Sequence, residues 1–306
     1  SLHSEEEIND QTSKLVRNQY ERNPYPRWEI PPKCMFKKIE FCEFLTRAGC
    51  KIDNVPSLNK GKKSVLIAGS GTGQQPIALS QIVKNLDIEA LDLSLASLAY
   101  AKRKTAELNI QNISYSQKDI LNLKGSKKRY DYIECSGVLH HMENPTSGLQ
   151  ILTELLNVDG IMQVGLYSKY ARQNLKKLQH FIKNENVDPM CDDLLHIREI
   201  LKKAAPKGDF QNNWTTIGDF YSRSMFRDLL FHEVEHNFDL MEISSAFKKI
   251  GLEFLGLNTK PRIHDMFKEM FSEQTAKFEL VNWHEFEKTY PTIFVGMYHI
   301  FCKKLS

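Results

Sequence analysis

The chain lacks any apolar run near the ~20 residues that a bilayer crossing requires, so no membrane span is expected. Its six cysteines form no C-x-x-C pair, and Cys34, Cys42 and Cys50 are spread too regularly for a compact metal site. Reduced thiols packed like small hydrophobes are expected instead. The start, Ser1-Leu2-His3-Ser4 followed by Glu5-Glu6-Glu7, is wrong for a signal peptide, and the location expected from these absences is cytoplasmic. An excess of one charge is missing too. With 41 basic against 38 acidic residues the formal net charge is +3, which gives nucleic acid or a membrane surface little to hold. No repeat and no low-complexity tract interrupts the 306 residues, and 41% hydrophobic content suffices for a sizeable core.

What is present centres on Ser64-Val65-Leu66-Ile67-Ala68-Gly69-Ser70-Gly71-Thr72-Gly73. An apolar strand runs into a glycine turn, and Ile77, Ala78, Leu79, Ile82 and Val83 then follow at helical spacing. Such a loop brings bare backbone and a helix start against a polar ligand. The dinucleotide fingerprint needs a small residue where Gln74 stands, and a phosphate-binding P-loop needs Lys-Ser or Lys-Thr where Gln74 and Gln75 stand. A loop set against a nucleoside and a tight turn with no ligand are the readings left.

The rest of the pattern alternates strands and helices. Ser4-x-x-Glu7 reads as a capping box for a first helix that ends before Pro24, and Asn18 to Trp28 reads as a rigid aromatic segment. That segment either pins the first helix to the core or covers the ligand, with Tyr20 and Arg27 as polar tips. A helix carrying Phe41, Phe44, Leu45 and Ala48 precedes the first strand. Ile88 to Asp92 forms the second strand, and Asp92 stands about 20 residues past the loop, where a carboxylate meets ribose hydroxyls. Ser94 is an alternative cap for the helix from Leu95 to Leu108. Strands near Ile113–Tyr115, Tyr130–Cys135 and Ile161–Tyr167 follow, the last after a helix at Thr146–Leu156. They imply a parallel α/β sheet with right-handed crossovers and a ligand edge holding Gly69–Gly73, Asp92, Asp119 and Ser136. Leu240–Ile250 with Gly251 as a stop is a helix, and Glu253–Leu257 and Thr292–Phe301 are the closing strands. The units expected are an arm at 1–60, a core at 61–167, an inserted helical cap at 168–238 and a completion of the core at 239–306.

Val65 to Gly73, Leu91-Asp92-Leu93-Ser94, Asp119, and Tyr130 to Pro145 with its Ser136-Gly137-Val138-Leu139-His140-His141 are similar, in order and distance, to successive motifs of class I S-adenosylmethionine-dependent methyltransferases. Asn18 to Trp28 looks like a bacterial subgroup often joined to tetratricopeptide repeats, which are not read here. The resemblance implies a Rossmann-like seven-stranded sheet with an antiparallel finish and S-adenosylmethionine as cofactor, spent as S-adenosylhomocysteine. It also implies a ligand set: Gly69, Ser70, Gly71 and Gly73 around the methionine part, Asp92 and Leu93 at the ribose, Asp119 and Ile120 at the adenine, and Ser136 and Gly137 beside the sulfonium. Ala68 departs from the pattern, since many members carry an acidic residue there.

For chemistry, His140 and His141 at the fourth strand's end are candidate bases, with Tyr20 as a third catalytic candidate. Tyr25, Arg27, Tyr221, Arg223 and His236 are candidate substrate contacts. His232-Glu233-Val234-Glu235-His236 matches the H-E-x-x-H zinc pattern, and on a helix its histidines would share a face; no third ligand is evident, so no metal is expected. The function expected is methyl transfer to a small-molecule acceptor. A protein or RNA methyltransferase and a silent nucleoside-binding module are the alternatives, and oligomeric state is not legible.

Overall fold

The computed structural model describes residues 7–26, 28–29, 37–52, 58, 61–184, 197, 223–232 and 234–305. Seven strands form one sheet: β1 (Lys63–Ala68), β2 (Leu86–Asp92), β3 (Ile113–Gln117), β4 (Tyr130–Ser136), β5 (Leu156–Leu166), β6 (Leu252–Leu257) and β7 (Tyr298–Lys304). Their order is β3-β2-β1-β4-β5-β7-β6, parallel except for β7, which runs antiparallel to both neighbours. This is the α/β sheet that the sequence pattern implies, with the antiparallel finish that the family resemblance implies.

Strands buried on both faces explain why β1 is almost wholly apolar. Leu66 and Ala68 join Ile133, Cys135, Met162 and Val164 on one face, while Val65 and Ile67 join Tyr132 and Ile161 on the other. Helix α1 spans Gln11–Arg22 and α2 spans Phe41–Arg47, where Phe41 and Leu45, one turn apart, pack on the second face. Helices α3 (Gln74–Ile82), α4 (Leu95–Glu107) and α5 (Pro145–Glu154) make the crossovers. Then come α6 (Gln173–Asn184), α7 (Arg223–Phe231), α8 (Leu240–Ile250), α9 (Pro261–Met270) and α10 (Leu280–Thr289). Asp239 and Glu242 form a capping box at the start of α8, and Gly251 at φ 83 ends it.

Several boundaries differ from expectation. The proposed cap at Ser4 lies outside the described residues. Helix α1 instead begins at Gln11, because the Asp10 carboxylate accepts the Ser13 N–H at 2.7 Å. Strand β5 starts at Leu156, earlier than Ile161, since Asp159 at φ 65 lets the chain kink and still pair with β4. The last strand starts at Tyr298, not Thr292, because a turn from Tyr290 to Ile293 closes first. The chain leaves the sheet at Ser168 and returns at Phe238, where the two residues bridge.

One buried carboxylate fastens this end of the fold. Glu287 on α10 accepts hydrogen bonds from Ser168 Oγ and Tyr298 Oη, both at 2.5 Å. Burial pushes its pKa from 4.5 to about 7, with the two donors opposing the shift. A raised carboxyl pKa means that the folded state keeps a proton the unfolded chain releases, so stability falls as pH rises from about 4.5 to about 7. Glu287→Gln should flatten the decline in unfolding free energy measured between pH 5 and pH 8, by up to ~1.4 kcal/mol per pH unit; an unchanged slope would exclude Glu287 as its source.

Candidate active site

The crossover from β3 back to β4 places β4 beside β1, and the ends of these two strands open a crevice at the point where strand order reverses. Gly69 follows β1 there and Ser136 ends β4. Gly71 has φ +51, and a Cβ on it would lie 2.5 Å from the Tyr25 carbonyl oxygen; Gly73 has φ +85 and packs its bare Cα on Ala101. The turn is tied to the end of β2. Gly69 and Ser70 donate their N–H groups to the Leu91 carbonyl, both at 2.8 Å. The Asp92 carboxylate accepts the Gly71 N–H at 2.7 Å and the Ser94 N–H at 2.9 Å. Burial raises the Asp92 pKa to about 6 against the pull of these backbone donors, with the Glu21 charge adding to the rise. Ser94 itself caps α4, so Asp92 is free of that task.

A cavity of about 320 Å³ fills the crevice. Gly69, Ser70 and Gly71 line it from the loop, Asp92 and Leu93 from the second strand, Asp119 and Ile120 from the third, and Ser136 and Gly137 from the fourth. Gly73 stands behind the loop instead. The hydroxyls of Ser70, Ser97 and Ser136 are buried at its wall with no hydrogen-bond partner. Buried polar atoms are seldom left so, and three around one hollow mark where a polar ligand completes the structure. Together with the loop and Asp92 they fit an adenosyl amino acid.

The aromatic segment after α1 closes over the loop. Thr72 holds it: its N–H donates to the Tyr25 carbonyl at 3.2 Å, its hydroxyl donates to the Pro26 carbonyl at 2.6 Å, and that hydroxyl accepts Trp28 Nε1–H at 2.9 Å. Tyr100 Oη donates to the Trp28 carbonyl. Glu21, from α1, accepts the Leu95 and Ala96 N–H groups at the start of α4, at 2.6 and 3.2 Å. Pinning and covering are thus one arrangement, since Tyr20, Tyr25 and Pro26 also line the cavity. Arg27 lies outside the described residues.

The far end of the cavity gathers residues from α1, the turn after β4, α7 and the segment that follows α7. Tyr20 Oη donates to Asp228 at 2.8 Å, and Gln19 Nε2 donates to the same oxygen at 3.2 Å. His232 Nε2 sits 3.2 Å from Tyr20 Oη. His141 lines the cavity, stacks on His232 at 3.4 Å, and has Nδ1 2.7 Å from the Val234 carbonyl. His140 does not reach the cavity; it is fully buried and stacked on Tyr167 at 3.8 Å. Neither of its ring nitrogens makes a well-formed hydrogen bond, though the Gly165 backbone is near enough to oppose part of its shift. Burial first, then neighbouring cationic and imidazole groups, push both His140 and His141 well below the usual histidine pKa. Burial and the Asp228 charge push Tyr20 well above the usual phenol range.

Two sequence expectations need correction here. Helix α7 ends at Phe231, so His232 and His236 lie beyond it, outside any helix, and do not share a helical face. No group of three metal-ligating side chains occurs among the described residues. His236 is not among the residues that line the cavity; its backbone N–H donates to the His140 carbonyl at 2.8 Å. Tyr221 lies outside the described residues, as does the Arg223 side chain. The sequence reading missed Ser97, Tyr167, Asp228 and Met297, which all line the cavity. Ser97, Tyr167 and Met297 stood in elements the sequence suggests, but nothing in the sequence pointed any of the four at the ligand.

A methyltransferase domain model matches residues 59–219, more than half of the chain. The chain belongs to that methyltransferase domain family. An uncharacterized Synechococcus protein is 25% identical over 210 residues, covering 66% of this chain and 50% of the relative. The ubiquinone biosynthesis O-methyltransferase of Glaesserella parasuis is 32% identical over 118 residues, 36% of this chain and 48% of that one. The chain thus spans about half the length of these curated relatives. Among solved structures, PKMT2 from Rickettsia typhi superposes with a TM-score of 0.60 at 16% identity, over 79% of this chain and 49% of its own, which shows a shared fold. No helix among the described residues is long and apolar enough to cross a membrane.

The Thr72 hydroxyl is the joint of the clasp. Thr72→Val should orphan Trp28 Nε1 and cost ~1–3 kcal/mol, read as earlier unfolding and faster proteolytic cleavage after α1; wild-type resistance to cleavage would show that the clasp is held elsewhere.

Proposed function

We propose that this methyltransferase-family chain binds S-adenosylmethionine and methylates a small molecule held between the sheet edge, the N-terminal clasp and the cap at 168–238. The carrying observation is the pairing of Asp92 with the glycine loop around a cavity that bares three partnerless serine hydroxyls. In this reading Gly69, Ser70 and Gly71 hold the amino-acid part, Asp92 and Leu93 the ribose, Asp119 and Ile120 the adenine, and Ser136 and Gly137 stand beside the sulfonium. A PKMT2 structure in complex with AdoHcy, which superposes at a TM-score of 0.56, is consistent with that choice.

When bound, S-adenosylmethionine supplies an electrophilic sulfonium methyl group. The chain's own task is placement. Gly137, Val138 and Met142 from the fourth-strand side, Tyr20 and Tyr25 from the arm, and Met297 from the turn before β7 enclose the remaining space. In well-oriented reactions, alignment of this kind can supply about 7–11 kcal/mol of the barrier. Arg27, Tyr221 and Arg223 remain candidate acceptor contacts on sequence grounds.

Calorimetry with S-adenosylmethionine and S-adenosylhomocysteine tests the reading. Asp92→Ala should weaken both by ~1–3 kcal/mol, about 5- to 150-fold. Because Asp92 titrates at about 6 and its ionised form accepts hydroxyl donors, wild-type affinity should fall as pH drops from 7.5 to 5. Absence of binding heat from either compound in folded protein would end the proposal.

A further inference from the structure

The cavity wall continues into the sheet as a strip of unpaired polar side chains. On β4, Tyr132, Glu134 and Ser136 alternate with the apolar Ile133 and Cys135, so all three belong to the second face of the sheet, with α2. Register sets Gln163 of β5 beside Glu134 and Gly165 beside Ser136, and it sets His299 of β7 across from Gly165, again on that face. Ser136 Oγ, Gln163 Oε1, His299 Nδ1 and Tyr132 Oη are all buried with no hydrogen-bond partner. Ser136 lines the cavity, as does Met297, whose sulfur would lie 2.8 Å from a Cβ on Gly165. Glu134 therefore stands one pleat, about 7 Å along β4, from a residue of the cavity wall.

Glu134 sets the chemistry of the strip. The residue is only 9% exposed, and burial is the one influence on its carboxyl, raising its pKa to about 7 with no donor or cation to oppose the rise. The titratable groups that share this face bring no positive charge at neutral pH, since burial raises the Tyr132 phenol and the Cys50 thiol and lowers the His299 imidazole. Buried carboxylates are found paired or hydrogen-bonded, and this one is neither. A carboxylate and Gln163 Oε1 both accept, so a group rich in N–H bonds completes them, and a positive charge on that group holds Glu134 ionised. An anion would meet acceptors only.

We infer that Glu134 and Gln163 form a subsite for a primary ammonium group carried by the methyl acceptor. This rests on the methyl-transfer reading above, because the strip ends at Ser136, which that reading sets beside the sulfonium. The Glu134 carboxylate and Gln163 Oε1 each take an N–H bond, and Ser136 and His299, one pleat further along the same face, are the neighbours for the third. A nitrogen held as ammonium has no lone pair to attack with. The group bound here therefore anchors the acceptor, and the atom that takes the methyl group is a different one.

The probe is 2-phenylethylamine, with 2-phenylethanol as its neutral match and 3-phenylpropionate as its anionic one, each titrated into the full chain saturated with S-adenosylhomocysteine. The amine should bind at least ~10-fold more tightly than the alcohol, and the carboxylate should not bind. Glu134→Gln keeps the shape of the side chain and removes its charge; it should bind S-adenosylhomocysteine as the wild type does and bring amine and alcohol to within ~2-fold of each other. Gln163→Leu should weaken the amine by ~3- to 10-fold. Carbon-13 spectra of the wild-type carboxyl groups should show Glu134 titrating at about 7 alone and well below that with the amine bound, a readout that needs no variant to fold. Equal affinity for amine and alcohol, an undiminished preference for the amine in Glu134→Gln, or no amine binding beside bound S-adenosylhomocysteine would each overturn the inference. So would a Glu134 carboxyl that stays protonated at saturating amine, as a strip holding only water or a proton shared with Gln163 would leave it. Folded protein that fails to bind S-adenosylhomocysteine marks instead the failure of the methyl-transfer reading, which takes the inference with it.

Discussion

The contact between the Gly71 N–H and the Asp92 carboxylate is the constraint on which the site depends. It joins the turn after β1 to the end of β2, so the loop cannot relax away from the crevice without baring a buried charge. Gly71 in turn lets the Tyr25 carbonyl come close, and Thr72 next to it fastens the arm. Asp92 and Glu21 therefore sit near one another at the head of α4, each neutralised mainly by backbone N–H groups. The first helix, the loop and the second crossover converge on this small patch of main chain.

Local pattern made this half of the protein legible. Val65 to Gly73 reads as strand and turn because the apolar run and the glycines are contiguous. Asp92 reads as a ligand group because its distance from the loop is set by one crossover. Gly251 reads as a stop because only a residue tolerant of positive φ ends α8 there. Where neighbouring signals competed, the reading slipped. Asp10 caps α1 where the sequence suggested an earlier start, and a turn at Tyr290–Ile293 took residues whose β-branched character suggested strand.

The other half was illegible because it is assembled from distant pieces. Tyr20 meets Asp228 across 208 positions, and His141 meets Val234 across 93. Met297 reaches the cavity only because β7 brings the end of its preceding turn across the sheet. No periodicity records such meetings. The H-E-x-x-H match shows the converse hazard, since the spacing is real while the helix that would give it meaning ends one residue before it.

The position of β7 has a bearing on the order of assembly during synthesis. It lies between β5 and β6, so β6 emerges from the ribosome with no neighbour to bond and must wait for a strand made some forty residues later. Until then Phe254 and Leu257 keep an exposed edge, and the nascent protein carries an incomplete sheet with an inviting flank for unwanted pairing.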